Sequence, residues 1–395
     1  MNSDHPIVVI GCGGLGSAAA YWLARSAGTA VLGLEQFGLG HDRGASQDHS
    51  RIIRLAQHQD AYAALAPAAY DAWHEVEAAS GVDLIIPTGG LVIEDVAVRD
   101  RARTGSRNIL GYAEVMARHG ASFEMLSPEE LMARWPQFRL AGSEEALYQH
   151  QSGIVDARRA NAVHIALARG YGAEIVDNRP VLAVRPRGDR VEVVTADEHY
   201  LAERVVITAD AWTNDLLAGL GRHLPLTVTQ EQVTYYATPN LADFSPRRFP
   251  VFMWHGEHNF YGFPIHGEVA TKLGQHMGGH EVTAGTRTFL PDPVRQDRQR
   301  AFLAEHLPGF GGPELYTKTC LYTIPPDQNF VLDTVPEHPN VAVAVGAGHA
   351  FKFASLIGSV LADLALHGKT PHPIESFGLD RPALTDPSFP RSFHV

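Results

Sequence analysis

Residues 7–10, IVVI, form an unbroken β-branched run that meets a glycine cluster and then an Ala-rich stretch, SAAAYWLARSAG. Such a run suits a strand buried on both faces of a parallel sheet, and the Ala-rich stretch suits a helix. Residues 6–35 therefore predict strand, tight turn, helix and strand, the second strand (AVLGLE) ending on Glu35. Spacing predicts helices over 59–80 and 107–119. From about 121 to 150 the pattern predicts an irregular excursion, with one short capped helix in LSPEELMARWPQF broken at Pro136. The stretch GIVDARRANAVHIALARGYGAEIV reads as a helix feeding a strand, and RVEVVTADEHYLAERVVITADAWT as a hairpin leading to a buried strand. Residues 226–290 alternate apolar and polar positions with many aromatics, the pattern of an antiparallel sheet with one buried face. A helix follows over 291–307, and VAVAVGAGHAFKFASLIGSVLADLALHG is again strand, Gly turn and helix.

The two strand–Gly–helix units stand at opposite ends of the chain. They share a sheet only if the middle leaves and returns. The expectation is an α/β, two-domain protein: a Rossmann-like nucleotide-binding domain formed by 1–85, 150–225 and 320–395, with an antiparallel-sheet substrate domain from 86–149 and 226–319 inserted in it.

With 395 residues the chain is long enough for two lobes. Thirty-two basic and 44 acidic residues give a net charge of −12, which argues against nucleic-acid binding but allows a small anion at a local cluster. Two cysteines exclude a disulfide framework and no metal site is expected. No apolar run reaches the roughly 20 residues of a membrane helix, and MNSDHPIVVIG shows no signal peptide, so a cytoplasmic protein is expected. The basic residues divide into 28 Arg and four Lys (272, 318, 352 and 369), which singles out each lysine.

Gly11, Gly13 and Gly16, with Gly14 between them, form G-x-G-x-x-G between strand and helix, and Glu35 ends the next strand. That spacing brings a pyrophosphate close to the backbone at a helix N-terminus and offers ribose hydroxyls a carboxylate. A turn serving only helix–strand packing is the plainer alternative, and Cys12 reads as a small filler within it. The motif alone does not separate NAD from FAD. The second Gly turn, with Gly346, Gly348 and Lys352, favours FAD, because a helix there presents its positive end to the electron-rich end of a flavin.

CLYTIPPDQNFVLD and GAGHAFKFAS, together with VIGCGGLGSAAAYWLA, SRIIR, FYGFP and KLGQH, resemble the monomeric sarcosine oxidase and N-methyltryptophan oxidase family of amine-oxidising flavoproteins, in the family's order and nearly end to end. The resemblance implies that Cys320 carries FAD covalently through a thioether; a buried apolar filler is the alternative. It implies that Arg51 lies against the flavin, with Ser50 beside it, and that Arg54 and Lys352 clamp a substrate carboxylate. On a helical turn Arg51 and Arg54 would share a face, and on a strand they would point oppositely. Lys272 is implied to sit over the flavin and assist electron transfer to oxygen, where a compact point charge is needed. His276, Tyr261 and Tyr322 are implied to surround the amine and favour its neutral form.

The chain departs from the family where Ser-His-Gly-Asp-Thr is replaced by Ser46, Gln47, Asp48, His49 and Ser50. Phe252, Met253 and Trp254 either shape the side-chain pocket or belong to the sheet core. The expected enzyme is a monomeric FAD-dependent oxidase of secondary or tertiary amino acids. Hydride passes to flavin N5, the imine hydrolyses, and dioxygen is reduced to hydrogen peroxide. A cyclic imino acid oxidase, a dehydrogenase of the same superfamily and a flavin-binding sensor without turnover are the alternatives.

Overall fold

The computed structural model describes residues 2–98 and 108–391. Its six-stranded sheet has the order Glu174–Val176, Val31–Leu34, Ile7–Ile10, Arg204–Ile207, His338–Val345 and Val331–Val335. All neighbours are parallel except the last two. Strand Ile7–Ile10 is buried on both faces, as its unbroken apolar run requires. Ile7 and Val9 pack against helices Gly14–Ala27, Ala157–Gly170 and Ala354–His367. Val8 and Ile10 face the four-stranded sheet that contains Arg190–Val194 and His199–Ala202. The first and last thirds of the chain thus share one sheet, because residue 205 bridges Val8 and Val341. The 18 residues Ala350–His367, at a mean hydropathy of 1.3, are apolar enough to span a membrane by length and composition, but 72% of that stretch is buried inside the protein as a core helix.

The second sheet is built around strands Thr227–Tyr236, Thr271–Gln275, Phe260–Phe263, Val251–His255, Gly90–Asp95 and Glu144–Gln149. It is mixed rather than wholly antiparallel: Val251–His255 runs parallel to Gly90–Asp95, where the two excursions from the first domain meet. The excursion over 121–150 is more regular than its sequence suggests. It contributes the strands Glu124–Leu126 and Glu144–Gln149, too short for their alternation to register. Its helix, Pro128–Arg134, begins with the expected capping box from Ser127 and Glu130. Helix Pro293–His306 covers one face of this sheet over an aromatic core of Phe252, Trp254, Phe302 and Phe310. Strand Glu314–Ile324, which carries Cys320, pairs with Thr227–Tyr236 along its whole length and so runs through the boundary expected at residue 320.

A titratable residue, His164, lies within the core of the first domain. His164 is fully buried between Tyr21 and Trp73, with ring centroids 5.8 and 5.4 Å away, and neither ring nitrogen has a hydrogen-bond partner. Burial lowers its pKa to about 3. Between the ordinary value near 6.5 and this one only the unfolded chain takes up the proton, so stability falls as pH drops through that window. The loss from pH 7 to pH 5 is about 2 kcal/mol. His164→Leu is expected to flatten the decline of Tm with acid over this range; an unchanged slope between pH 7 and 5 would rule out His164 as its source.

Candidate active site

Except for Gly16, Phe252 and Lys369, every residue singled out above as a site candidate lines one cavity of about 1010 Å³ between the two sheets. At one end is the first Gly turn. Gly11 has φ +86°, and a Cβ on Gly16 would lie 1.7 Å from the Gly11 carbonyl, so Gly16 is what lets the helix start this close to the strand. No acidic side chain occupies the first turn of that helix, and the Gly14 amide donates to Ser46 Oγ at 2.7 Å. Glu35 is buried at the strand end. It accepts the Cys12 and Phe37 amides at 2.8 and 3.0 Å and meets His41 at 3.3 Å. Burial pushes its carboxyl up, but His41 and these amides more than offset that and hold it below the usual range.

The second Gly turn closes the other side. Gly348 has φ +74°, and a Cβ there would meet the Tyr322 ring at 2.4 Å. Gly346 and Gly348 lead into the turn Ala350–Phe353, which holds Lys352. Across the cavity Cys320 is half-buried on its strand, opposite Glu231. Burial pushes its thiol up to about 11, against the pull of the Arg51, Lys272 and Arg287 cations. Gln47 Nε2 donates to the Thr319 carbonyl at 2.5 Å, beside Cys320, whereas His49 turns to Glu268 at 3.5 Å.

Arg51 lies on strand Ser50–Ile53, and Arg54 follows the strand end. The chain has left the strand by then, which is why two residues three apart both reach the cavity. Arg51 donates to the carbonyls of Ser50, Ala45 and Gln47 at 2.9, 2.9 and 2.6 Å, which fixes its guanidinium. Arg54 differs: its Nη1 is buried without a partner, and its guanidinium lies 5.4 Å from the Tyr112 ring centroid. Lys352 is buried, donates to the His349 carbonyl at 2.7 Å, and is pushed well below its ordinary pKa by burial and by the nearby Arg54 charge. Neither cation has an acidic partner among the described residues. Burial and the like charge of Arg54 both disfavour the Lys352 ammonium, and no acidic group offsets them.

His276 stands just past strand Thr271–Gln275, its ring centroid 6.4 Å from that of Tyr261 and 6.0 Å from that of Tyr322. Burial raises both phenol pKa values, so each hydroxyl stays protonated. Along Val251–His255, Phe252 and Trp254 belong to the aromatic core. Met253, between them and half-buried, lines the cavity, and Trp254 borders it as well.

The profile of the FAD dependent oxidoreductase family matches residues 6–364. The chain belongs to this family. It is 35% identical to a monomeric sarcosine oxidase of Streptomyces avermitilis, over 95% of this chain and 97% of that one. It is 30% identical to the N-methyl-L-tryptophan oxidase of Escherichia coli, over 95% and 99%. Among solved structures, that of NikD, an unusual amino acid oxidase essential for nikkomycin biosynthesis, superposes with a TM-score of 0.84 at 27% identity, covering 95% of this chain and 98% of that one. This family member is therefore a flavin-dependent oxidoreductase acting on CH–NH bonds, and its cofactor is FAD. The residues present fit that cofactor: a close-packed glycine turn without an acid at the helix start, a buried carboxylate at the next strand end, and a cavity that runs on to the second Gly turn.

Sequence reasoning missed Asp48 as a site residue and noted it only as a departure. It is buried, with φ +84°, and its carboxylate meets Lys272 Nζ at 2.6 Å while accepting the Tyr235 hydroxyl. The available signal was Lys272 itself, since a lysine buried on a strand needs a counter-charge. Replacing Gly16 by Ala is expected to shift the helix start and reduce the flavin bound per protein by roughly tenfold or more. The ratio of flavin to protein absorbance after gel filtration reads this, and an unaltered ratio would show that the turn does not set cofactor affinity.

Proposed function

We propose that this protein is an oxidase of secondary or tertiary amino acids, of the N-methyl amino acid kind, with FAD tethered through Cys320. The observation that carries the substrate class is the pair of basic side chains Arg54, half-buried with its Nη1 buried, and Lys352, which is buried. They lack acidic partners, and they share the cavity with His276, Tyr261 and Tyr322. An α-carboxylate supplies the missing charge. FAD, when bound, accepts a hydride from the carbon beside the amine nitrogen and passes the electrons to dioxygen, giving hydrogen peroxide; the imine left behind hydrolyses, to formaldehyde when the group is N-methyl.

The chain's own residues divide the remaining work. Arg54 and Lys352 hold the carboxylate and so fix which carbon lies toward the flavin. A protonated amine has no lone pair to support hydride loss, so the amine must be neutral. His276 provides a ring nitrogen close to that amine, and the two phenols stay neutral donors at physiological pH. Met253 borders the space left for the substrate side chain. The Cys320 thiol, with its raised pKa, needs the surrounding cations to support a thiolate during attachment. The chain's similarity to sarcosine and N-methyltryptophan oxidases supports the N-methyl reading, and a cyclic imino acid offers the clamp the same carboxylate.

Arg54→Ala is expected to raise KM for an N-methyl amino acid about 100-fold with a much smaller change in kcat. Steady-state kinetics on sarcosine, N-methyltryptophan and proline measure this, and an unchanged KM on every turned-over substrate would remove Arg54 from the clamp. Acid precipitation tests the tether. Yellow colour is expected in the pellet of the unaltered protein and in the supernatant of Cys320→Ala. Colour in the supernatant of fully loaded unaltered protein would mean that FAD is held without a covalent bond.

A further inference from the structure

We propose that Asp48 is a positioning residue that holds Lys272 as a cation in the cavity and thereby sets the upper pH limit of reoxidation by dioxygen. The second half rests on the oxidase reading above; the hold of Asp48 on the lysine does not.

The geometry around Lys272 is that of an ammonium. The side chain is 2% exposed, and three acceptors surround Nζ: the Asp48 carboxylate at 2.6 Å, the Ser50 carbonyl at 3.0 Å and Ser50 Oγ at 3.1 Å. A protonated amine has three N–H groups to meet three acceptors, whereas a neutral amine has two. The Asp48 contact is the shortest of the three and pairs the ammonium with a buried carboxylate.

Asp48 is in turn built into place. The backbone at φ +84° is a conformation that Asp tolerates better than most residues, at a position where the resembling family has Gly. The Tyr235 hydroxyl donates to Oδ1, and Lys318 lies 4.0 Å from the same oxygen. Despite burial, the Lys272 and Arg51 cations hold its carboxyl well below the usual range, so it remains an anion at every physiological pH.

Each element packed around Lys272 contributes a group. Asp48 and Ser50 come from the segment before and into strand Ser50–Ile53, and Arg51 comes from the same strand. Cys320 and Lys318 stand on Glu314–Ile324, and the Tyr235 and Phe263 rings lie 5.8 and 4.7 Å from Nζ. Burial is the largest influence and lowers the lysine, Arg51 lowers it further, and Asp48 raises it most; the result is about 8. Lys272 is then charged below pH 8 and loses its charge above it. Without Asp48, burial and Arg51 remain, and both act in the same direction. The carboxylate thus keeps the cation present near neutrality, where superoxide formed on the way to hydrogen peroxide needs an adjacent positive charge.

Four lysines make the test direct. Holoenzyme labelled with 15N-lysine gives few Nζ signals, and Lys272→Met assigns the relevant one by its disappearance. The expected midpoint of the unaltered protein is near 8, falling by one unit or more in both Asp48→Asn and Asp48→Gly. The glycine variant suits the positive φ and guards against misfolding of the first. Stopped-flow reoxidation of substrate-reduced enzyme is expected to lose its rate at a pH lowered by the same amount, about fivefold slower or more at pH 8. Midpoints that stay put in both variants overturn the proposal. So does faster reoxidation in both, which would make Asp48 a quencher of the lysine charge. A shifted midpoint with reoxidation indifferent to pH supports the hold and refutes instead the oxygen role of Lys272.

Discussion

The ladder between Thr227–Tyr236 and Glu314–Ile324 is the constraint on which the site depends. These segments are about 80 residues apart and pair from Thr227–Ile324 to Tyr236–Glu314, with a single irregularity at the far end. A slip of one residue would turn Cys320 away from the cavity and Thr319 or Leu321 toward it, since strand side chains alternate faces. The same central strand pairs on its other edge with Thr271–Gln275, setting Tyr235 opposite Lys272. The Cys320 strand and the Lys272 strand are thereby fixed relative to one another by backbone hydrogen bonds, and the Tyr235 hydroxyl ties Asp48 to them.

Charge is the second organising term. The cavity gathers Arg51, Arg54, Lys272 and Lys352 in a protein whose net charge is −12. Each cation is treated differently. Arg51 spends its donors on three backbone carbonyls, and Lys272 is neutralised by Asp48. Arg54 and Lys352 keep no acidic partner among the described residues. A buried cation is costly unless it is paired or hydrogen-bonded. The four cations thus divide into two that are hydrogen-bonded or ion-paired, Arg51 and Lys272, and two without an acidic partner among the described residues.

Much of this was legible in the sequence where the signal was local. The G-x-G-x-x-G turn, Glu35, the capped helix at Ser127 and the terminal strand–Gly–helix unit are each encoded within a few residues. Turns, caps and buried runs depend on backbone preferences that neighbours in sequence supply. The short strands Glu124–Leu126 and Glu144–Gln149 were not legible, because three to six residues carry too little alternation. Glu124–Leu126 pairs with Glu144–Gln149, which in turn pairs with Gly90–Asp95 about 50 residues away.

The sequence by itself determined the family, the dinucleotide motif and the cofactor class, because these rest on residue types at fixed spacing. Only the tertiary structure decided which departures matter. Gln47 meets the strand that bears Cys320 while His49 turns to Glu268, Met253 and Trp254 reach the cavity while Phe252 does not, and Asp48 pairs with a lysine 224 residues away. The physical reason is common to all three. A side chain's charge state and partners depend on what surrounds it after burial, and that environment is assembled from segments far apart in the chain.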